Sequence, residues 1–95
     1  MAQVETDLTE RIERLLERSH SSWFELPQVA AEFGSWELLE QHVFVEDWPL
    51  EEEQLAELSR YAAAGLLTTA QNGHYRRLLS LVERHRPIIR RLQHS

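Results

Sequence analysis

The chain has 95 residues, and its ten basic and sixteen acidic residues give a net charge of −6; at 11.2 kDa it has room for one domain with one modest core. An apolar content of 42% and a charged content of 27% are typical of a folded domain rather than a disordered chain. Because the chain has no cysteine and no lysine, disulfides, thiolate catalysis, cysteine-bound metals and Schiff-base chemistry are excluded. No apolar run approaches the ~20 residues of a membrane span and no secretory leader pattern is present, so we expect a cytoplasmic protein without a membrane contact.

Three helices are predicted in the first half of the chain. The first covers about Asp7 to Arg18, because apolar residues recur there at i, i+4, i+7 and i+8. Residues 19–22 are small or polar and are predicted to form a loop. Pro27 suits the first turn of a second helix, which Gly34 should end. A third helix follows Ser35 and directs three apolar residues inward: Trp36, Leu39 and Val43.

Two further helices are predicted in the second half. Pro49 marks the expected start of a fourth helix, which should end at Gly65. Thr68 and Gln71 have the spacing of a capping box and predict the start of a fifth. Pro87 should end or kink that helix, and a kink is favoured because the apolar stripe resumes beyond it. The sequence therefore predicts an all-α fold: a single domain over residues 1–95, with four to five short helices in mostly antiparallel, bundle-like packing.

One segment also resembles a known family. The stretch from Leu55 to Val82, with Gly65 to Thr68 as its corner, is similar to the short helix–turn–helix hairpins called SHOCT domains. The similarity covers under a third of the chain. It implies two antiparallel helices joined at this corner and carries no function with it.

Charge is divided unevenly along the chain. Residues 1–60 contain fifteen acidic residues and four arginines, a net −11, whereas residues 61–95 contain six arginines and one glutamate, a net +5. On a helix, five arginines fall on the side opposite the apolar residues and form an arginine stripe: Arg76, Arg77, Arg84, Arg90 and Arg91. Three interpretations are open: a solvated face partly neutralised by the acidic half, a surface for an acidic protein, or a nucleic-acid contact.

Motifs for catalysis or metal binding are missing from the sequence. Glu17 and His20 have the i, i+3 spacing of half a di-iron site, but no second such pair exists. The serines beside His20 lack the geometry of a nucleophile and its base, and no Gly-rich phosphate loop is present. Residues 26–42 have the outline of a helix-turn-helix, but Glu37 and Glu40 would repel DNA phosphates. We expect no enzyme activity, no cofactor and no metal.

Aromatic residues indicate a binding face instead. Six of the eight lie between residues 23 and 48, and Trp23 and Trp48 fall in predicted loops or caps, where burial is harder. We expect a non-enzymatic protein–protein interaction module, such as a small adaptor, chaperone or inhibitor that occupies a partner's surface. The alternatives are a nucleic-acid-binding protein that uses the arginine stripe, less favoured because of the acidic half, and an acidic mimic of nucleic acid. The candidate partner-binding residues are Trp23, Trp48, Arg76, Arg77, Arg84 and Arg91.

A homodimer is a further expectation. The −11 and +5 parts of the chain make a dipole that a twofold dimer would satisfy, with arginines of the last helix against glutamates 51–53 or Glu57 of the other copy. Exposed ion pairs contribute only about 0–1 kcal/mol each. Apolar contact would therefore have to come from Trp23, Trp48 or the pair Ile88–Ile89.

Overall fold

Four helical segments make up the protein, and the first two form one bent helix. In the computed structural model, which describes the backbone of residues 2–94 and the side chains of residues 6–94, they are α1 (Ala2–Phe24), α2 (Leu26–Phe33), α3 (Leu38–Ala63) and α4 (Thr69–Gln93). Of the described residues, 88% are helical and none forms a strand. The predicted all-α class is confirmed. The predicted four to five helices are slightly too many, because α1 and α2 count as one bent helix and the bundle then has three.

The bend between α1 and α2 follows from one proline. Pro27 has no N–H, so the carbonyl of Trp23, four residues earlier, has no helical donor. The Nδ1 atom of His85 in α4 lies 2.7 Å from that carbonyl oxygen and donates its proton to it, because a carbonyl only accepts. Glu25 occupies the bend, and its own carbonyl accepts from Val29 as the next helical turn begins. The contact from α4 therefore stabilises the bend at which α1 ends and α2 begins.

Polar contacts between helices establish their directions. Gln71 at the start of α4 donates its Nε2 to the carbonyl of Thr9 early in α1, whereas the His85 contact joins the later parts of both helices. α1 and α4 are therefore parallel. Arg11 near the start of α1 pairs with Glu57 near the end of α3, at 2.8 Å, so α3 runs opposite to both. The result is an up–down–up bundle of 49 × 23 × 17 Å.

The core lies between α1, α4 and the later part of α3. The core residues of α1 and α4 follow the apolar periodicity that predicts the first and last helices. The buried apolar side chains of the core are Ile12, Leu15, Leu16, Trp23, Leu26, Trp48, Leu55, Leu58, Leu67, Leu78, Leu81, Val82 and Ile89. An elongated bundle exposes more surface than a compact one, and the accessible area of 6582 Å² exceeds the roughly 5,700 Å² expected for a monomer of this mass.

The predicted loop at residues 19–22 is wrong. These residues continue α1 to Phe24, because Ser19 and Trp23 are both fully buried and the helix must extend to place them there. The third helix begins at Leu38 rather than directly after Ser35. Tertiary packing outweighs the local polarity of this segment, as is usual for helices in folded proteins.

Pro49 is also not a helix start. It lies inside α3, which continues because Trp48 before it and Leu55 after it both pack into the core. α4 likewise continues through Pro87 to its end at Gln93. None of the helices in the described part of the chain is long and apolar enough to cross a membrane.

The turn between α3 and α4 is built as the sequence predicts. Gly65 has φ +73°, a left-handed conformation that favours glycine. Both arms of the capping box are present: Thr68 Oγ1 accepts from the N–H of Gln71, and Gln71 Oε1 accepts from the N–H of Thr68. Because the Gln71 amide also donates to α1, one residue starts α4 and ties it to the bundle.

Candidate functional site

The first half of α3 is incompletely covered by the rest of the bundle. Leu39 is 72% exposed and Val43 is 47% exposed, so the prediction that they face the core is wrong. The cause is the shortness of α2, which has eight residues and packs mainly on α4, leaving the adjacent face of α3 open.

A groove of about 590 Å³ lies on this open face. The end of α1, α2, the α2–α3 connection and the first half of α3 form its walls. Hydrogen bonds hold the connection in place: the Gln41 amide of α3 donates to the carbonyls of Phe33 and Trp36, at 2.8 and 3.2 Å, and the Ser35 hydroxyl donates to the carbonyl of Glu32 at 2.6 Å. The apolar lining consists of Val29, Trp36, Leu39, Val43, Phe44 and Trp48.

Packed aromatic rings support the floor of the groove. Trp36 lies 5.8 Å from Phe44, and Phe44 lies 5.8 Å from Trp48, measured between ring centroids. Trp48 in turn meets Trp23 edge-on at 4.9 Å, which joins the floor to the core. Edge-to-face and tilted aromatic pairs of this kind give a rigid surface. The groove therefore has a preformed apolar floor.

Four carboxylates stand around that floor: Glu25, Glu40, Asp47 and Glu51. No arginine or histidine is among the described residues that line the groove. At neutral pH the site therefore combines apolar surface with concentrated negative charge.

Glu51 differs from the other three because it is half-buried. Burial raises the pKa of its carboxyl above the ordinary value of 4.5, while a hydrogen bond from Ser22 and the charge of Arg18 oppose that rise. Its Oε2 atom is buried and has no hydrogen-bond partner among the described residues, and the same is true of Trp48 Nε1. A carboxylate held in this way favours the approach of a cation.

The apolar surface continues along the outside of α3. Leu50, 57% exposed, lies seven residues after Val43 and eleven after Leu39, so the three share one side of the helix. Their span is about 16 Å at 1.5 Å per residue. Exposed carboxylates flank this row on both sides: Glu40, Glu46, Asp47 and Glu53.

The structure corrects the prediction for the two tryptophans. Trp23 is completely buried and Trp48 is 4% exposed, so the expectation that they lie on the surface is wrong. They are buried because the predicted loop and helix start around them are continuous helix. Neither ring supplies surface for the expected homodimer, whereas Trp36, expected in the core, lines the groove.

The predicted arginine stripe lies on the exposed side of α4. Arg76, Arg77, Arg84, Arg90 and Arg91 are all exposed, and none pairs with a carboxylate in the part of the chain whose side chains the structure describes. The remaining arginine of α4 behaves differently. Arg86 binds Glu52 of α3 at 2.6 Å and stacks over the Trp23 ring at 5.1 Å from its centroid, so it holds α3 and α4 together.

Comparisons with known proteins returned no match. No family model matches the chain, and no curated protein or solved structure is significantly similar to it. The comparisons thus give no support to the resemblance to SHOCT domains, although the helical hairpin that it implies is present as α3 and α4. Among the described residues, no group of three or more histidine, aspartate or glutamate side chains is placed to hold a metal ion.

Sequence reasoning missed the groove, although one signal was present. Leu38 and Leu39 are consecutive, and with Val43 and Leu50 they give the third helix more apolar residues than one buried face accommodates. We expected Leu39 and Val43 to face the core, because the periodicity of α3 does not show how much of its surface α2 covers.

Proposed function

We propose that the protein is a protein–protein interaction module whose groove binds a basic, amphipathic helix of a partner protein. The observation that carries the proposal is the exposed apolar floor ringed by four carboxylates. Apolar contact supplies affinity, and the surrounding charge selects a partner that carries arginine or lysine.

Helical spacing favours a helix as the occupant. Leu39, Val43 and Leu50 offer a row about 16 Å long, which matches apolar residues at i, i+4, i+7 and i+11 of a facing helix. The flanking carboxylates then lie where basic side chains of that helix would reach them. Glu51, half-buried among the lining residues, adds a further carboxylate to the groove.

A second copy of the chain fits this groove less well. A twofold dimer through the groove would bring the four carboxylates of each copy together, which is repulsive. The homodimer therefore stays a prediction. Light scattering at micromolar concentration, in low and in high salt, tests it. An 11 kDa species in both conditions would contradict it.

Binding to a designed peptide tests the proposal. The probe is an 18-residue acetylated and amidated helix without tryptophan, with leucines at i, i+4, i+7 and i+11 and arginines beside them. Because Trp36 and Trp48 line the groove, we expect saturable changes in tryptophan fluorescence and in their indole N–H signals. No binding, or changes confined to other signals, would contradict the proposal.

Matched variants distinguish binding at the groove from attraction by the overall negative charge of the protein. L39S/V43S should weaken binding more than about tenfold, since two central apolar contacts are lost. L66S/L79S is the control, because these leucines are 45% and 40% exposed elsewhere. E40Q/D47N should weaken binding about three- to tenfold. E10Q/E17Q changes the net charge equally on α1 and should have little effect.

The alternative of an acidic nucleic-acid mimic predicts a different result. A mimic recognises its partner by charge, so a probe with its leucines replaced by serine would still bind. The groove requires the leucines, and we expect that probe to lose binding. Retained binding of the serine probe would replace our proposal with the mimic.

A further inference from the structure

A second surface on the protein carries the opposite charge. Arg77, Arg84 and Arg91 are spaced seven residues apart on α4, so they lie on one side of the helix in a row with steps of about 10.5 Å. All three are exposed and have no carboxylate partner among the described side chains. The acidic half of the chain therefore leaves this row unneutralised.

The row ends in an apolar furrow. Ala30, Phe33 and Gly34 form one wall of the furrow, Ile88 and Leu92 form the other, and Arg91 stands at its edge; the volume is about 270 Å³. Gly34 has φ −65°, and a Cβ atom added there would meet nothing within 4 Å. The furrow is thus open, and it places apolar surface beside a charged row, as a docking surface requires.

We propose that this row and its furrow form a second docking surface, which binds an acidic amphipathic helix of a partner protein. A helix with glutamates seven residues apart would face the three arginines one to one, and each guanidinium can bind a carboxylate with two parallel hydrogen bonds. An apolar side chain of the same helix would enter the furrow.

Charge complementarity selects an acidic protein rather than nucleic acid. The exposed arginines of α4 have Glu83 among them, whereas a duplex presents a broad, continuous array of phosphates that a carboxylate would repel. The first sixty residues add a net charge of −11 to the same small body, which repels nucleic acid. A single helix with spaced carboxylates avoids both difficulties.

This surface shares no lining residue with the groove, although Phe33 of the furrow packs on Trp36 and Phe44 of the groove. No residue of α4 lines the groove, and no residue of α3 lines the furrow. The protein would then join a basic partner to an acidic one, which is the action of an adaptor. The two proposals are tested with probes of opposite charge, so the failure of one is distinguishable from the failure of the other.

Fluorescence anisotropy with a labelled peptide tests the second surface. The probe is a 20-residue helix with glutamates at seven-residue spacing and one leucine column, and we expect saturable binding that weakens as salt rises. R77Q/R84Q should weaken binding at least fivefold, while R14Q/R60Q, with the same change in net charge, should change it less than twofold. E40Q/D47N should also have less than a twofold effect, because it alters only the groove.

One variant tests the furrow without disturbing the core. G34Q places a side chain in open space at a backbone conformation that any residue adopts, so the midpoint of thermal unfolding should not fall. We expect it to weaken the acidic probe at least threefold. Equal losses in R77Q/R84Q and R14Q/R60Q, or no binding of the probe, would overturn the proposal. Tighter binding of a 16-base-pair DNA duplex than of the peptide would overturn it in favour of nucleic acid.

Discussion

The two halves of α3 contain the same apolar residue types but place them in different surroundings. In the later half, Leu55 and Leu58 are buried between α1 and α4. In the earlier half, Leu39, Val43 and Leu50 are largely exposed. The difference lies in what covers each half: α1 lies along the later one, where Arg11 pairs with Glu57. The earlier one meets the end of α1 through Trp48, and the eight-residue α2 packs mainly on α4 instead of covering the rest. An apolar residue on a helix thus becomes core or binding surface according to its neighbours.

The two ends of the bundle differ in the same way. At the α3–α4 turn, a left-handed glycine, a complete capping box and the bond from Gln71 to α1 fix the backbone. At the α2–α3 connection, Glu37 makes no side-chain cap, and Gln41 alone among the described side chains of α3 bonds back to that connection. We therefore expect the α3–α4 turn, called here the closed end, to contribute more to stability than the α2–α3 connection, called here the open end, beside which the groove lies.

A pair of leucine substitutions on α3 tests this division most strongly. Leu58→Ala should lower the free energy of unfolding by about 2–5 kcal/mol, because it leaves a cavity in the core. Leu39→Ala should change it by less than about 0.5 kcal/mol, because its side chain is mostly solvated. Urea unfolding of both variants measures the difference. Similar losses in the two would mean that the earlier half of α3 is core after all.

Glycine substitutions in the two turns test the ends of the bundle with a smaller effect. Gly65→Ala should cost about 1–2 kcal/mol, because its φ of +73° is unfavourable for a residue with a Cβ atom. Gly34→Ala should be neutral or stabilise by up to about 1 kcal/mol, since its φ is −65° and its surroundings are open. The midpoint of thermal unfolding measures both. If Gly34→Ala lowered the midpoint of unfolding as much as Gly65→Ala, the difference between the closed and the open end would be wrong.

Much of the closed end could be predicted from the sequence. The apolar periodicity that includes Ile12, Leu16, Leu78 and Val82 is a local property of two helices, and so is the capping box. The end of the helix at Gly65 also follows from a single residue. Where the local signal and the tertiary contacts agree, sequence reasoning gives the correct element and the correct buried face.

The open end could not be predicted, for two physical reasons. Pro27 and Pro49 have the same local preference, yet Pro27 lies at the bend between α1 and α2, whereas Pro49 lies inside α3. The contacts that decide this come from other helices: His85 of α4 bonds to the carbonyl that Pro27 leaves without a donor, and Trp48 packs on Trp23 of α1. Exposure of Leu39 depends on how much of α3 is covered by α2, and this tertiary packing is not shown by the periodicity of either helix. Arginines of α4 were placed correctly on one face because that face is set by helical periodicity alone.

The last and smallest effect concerns the carboxyl where the two regions meet. Burial raises the pKa of Glu51 above its ordinary 4.5, so between 4.5 and the raised value the folded chain binds more protons than the unfolded one, and stability falls as pH rises. Glu51→Gln removes this cost. The variant should unfold like wild type near pH 4 and be more stable at pH 7, by less than about 1 kcal/mol because solvent screens a half-exposed group. Glu53→Gln, an exposed neighbour, should show no such divergence with pH.

The same Glu51→Gln variant should bind the basic probe more weakly, since the groove loses its half-buried charge. If the variant is more stable and binds less well, the fold keeps Glu51 ionised at a cost in stability that the cation of the partner offsets. If the variant instead loses stability at pH 7, the ionised carboxylate of Glu51 stabilises the fold itself.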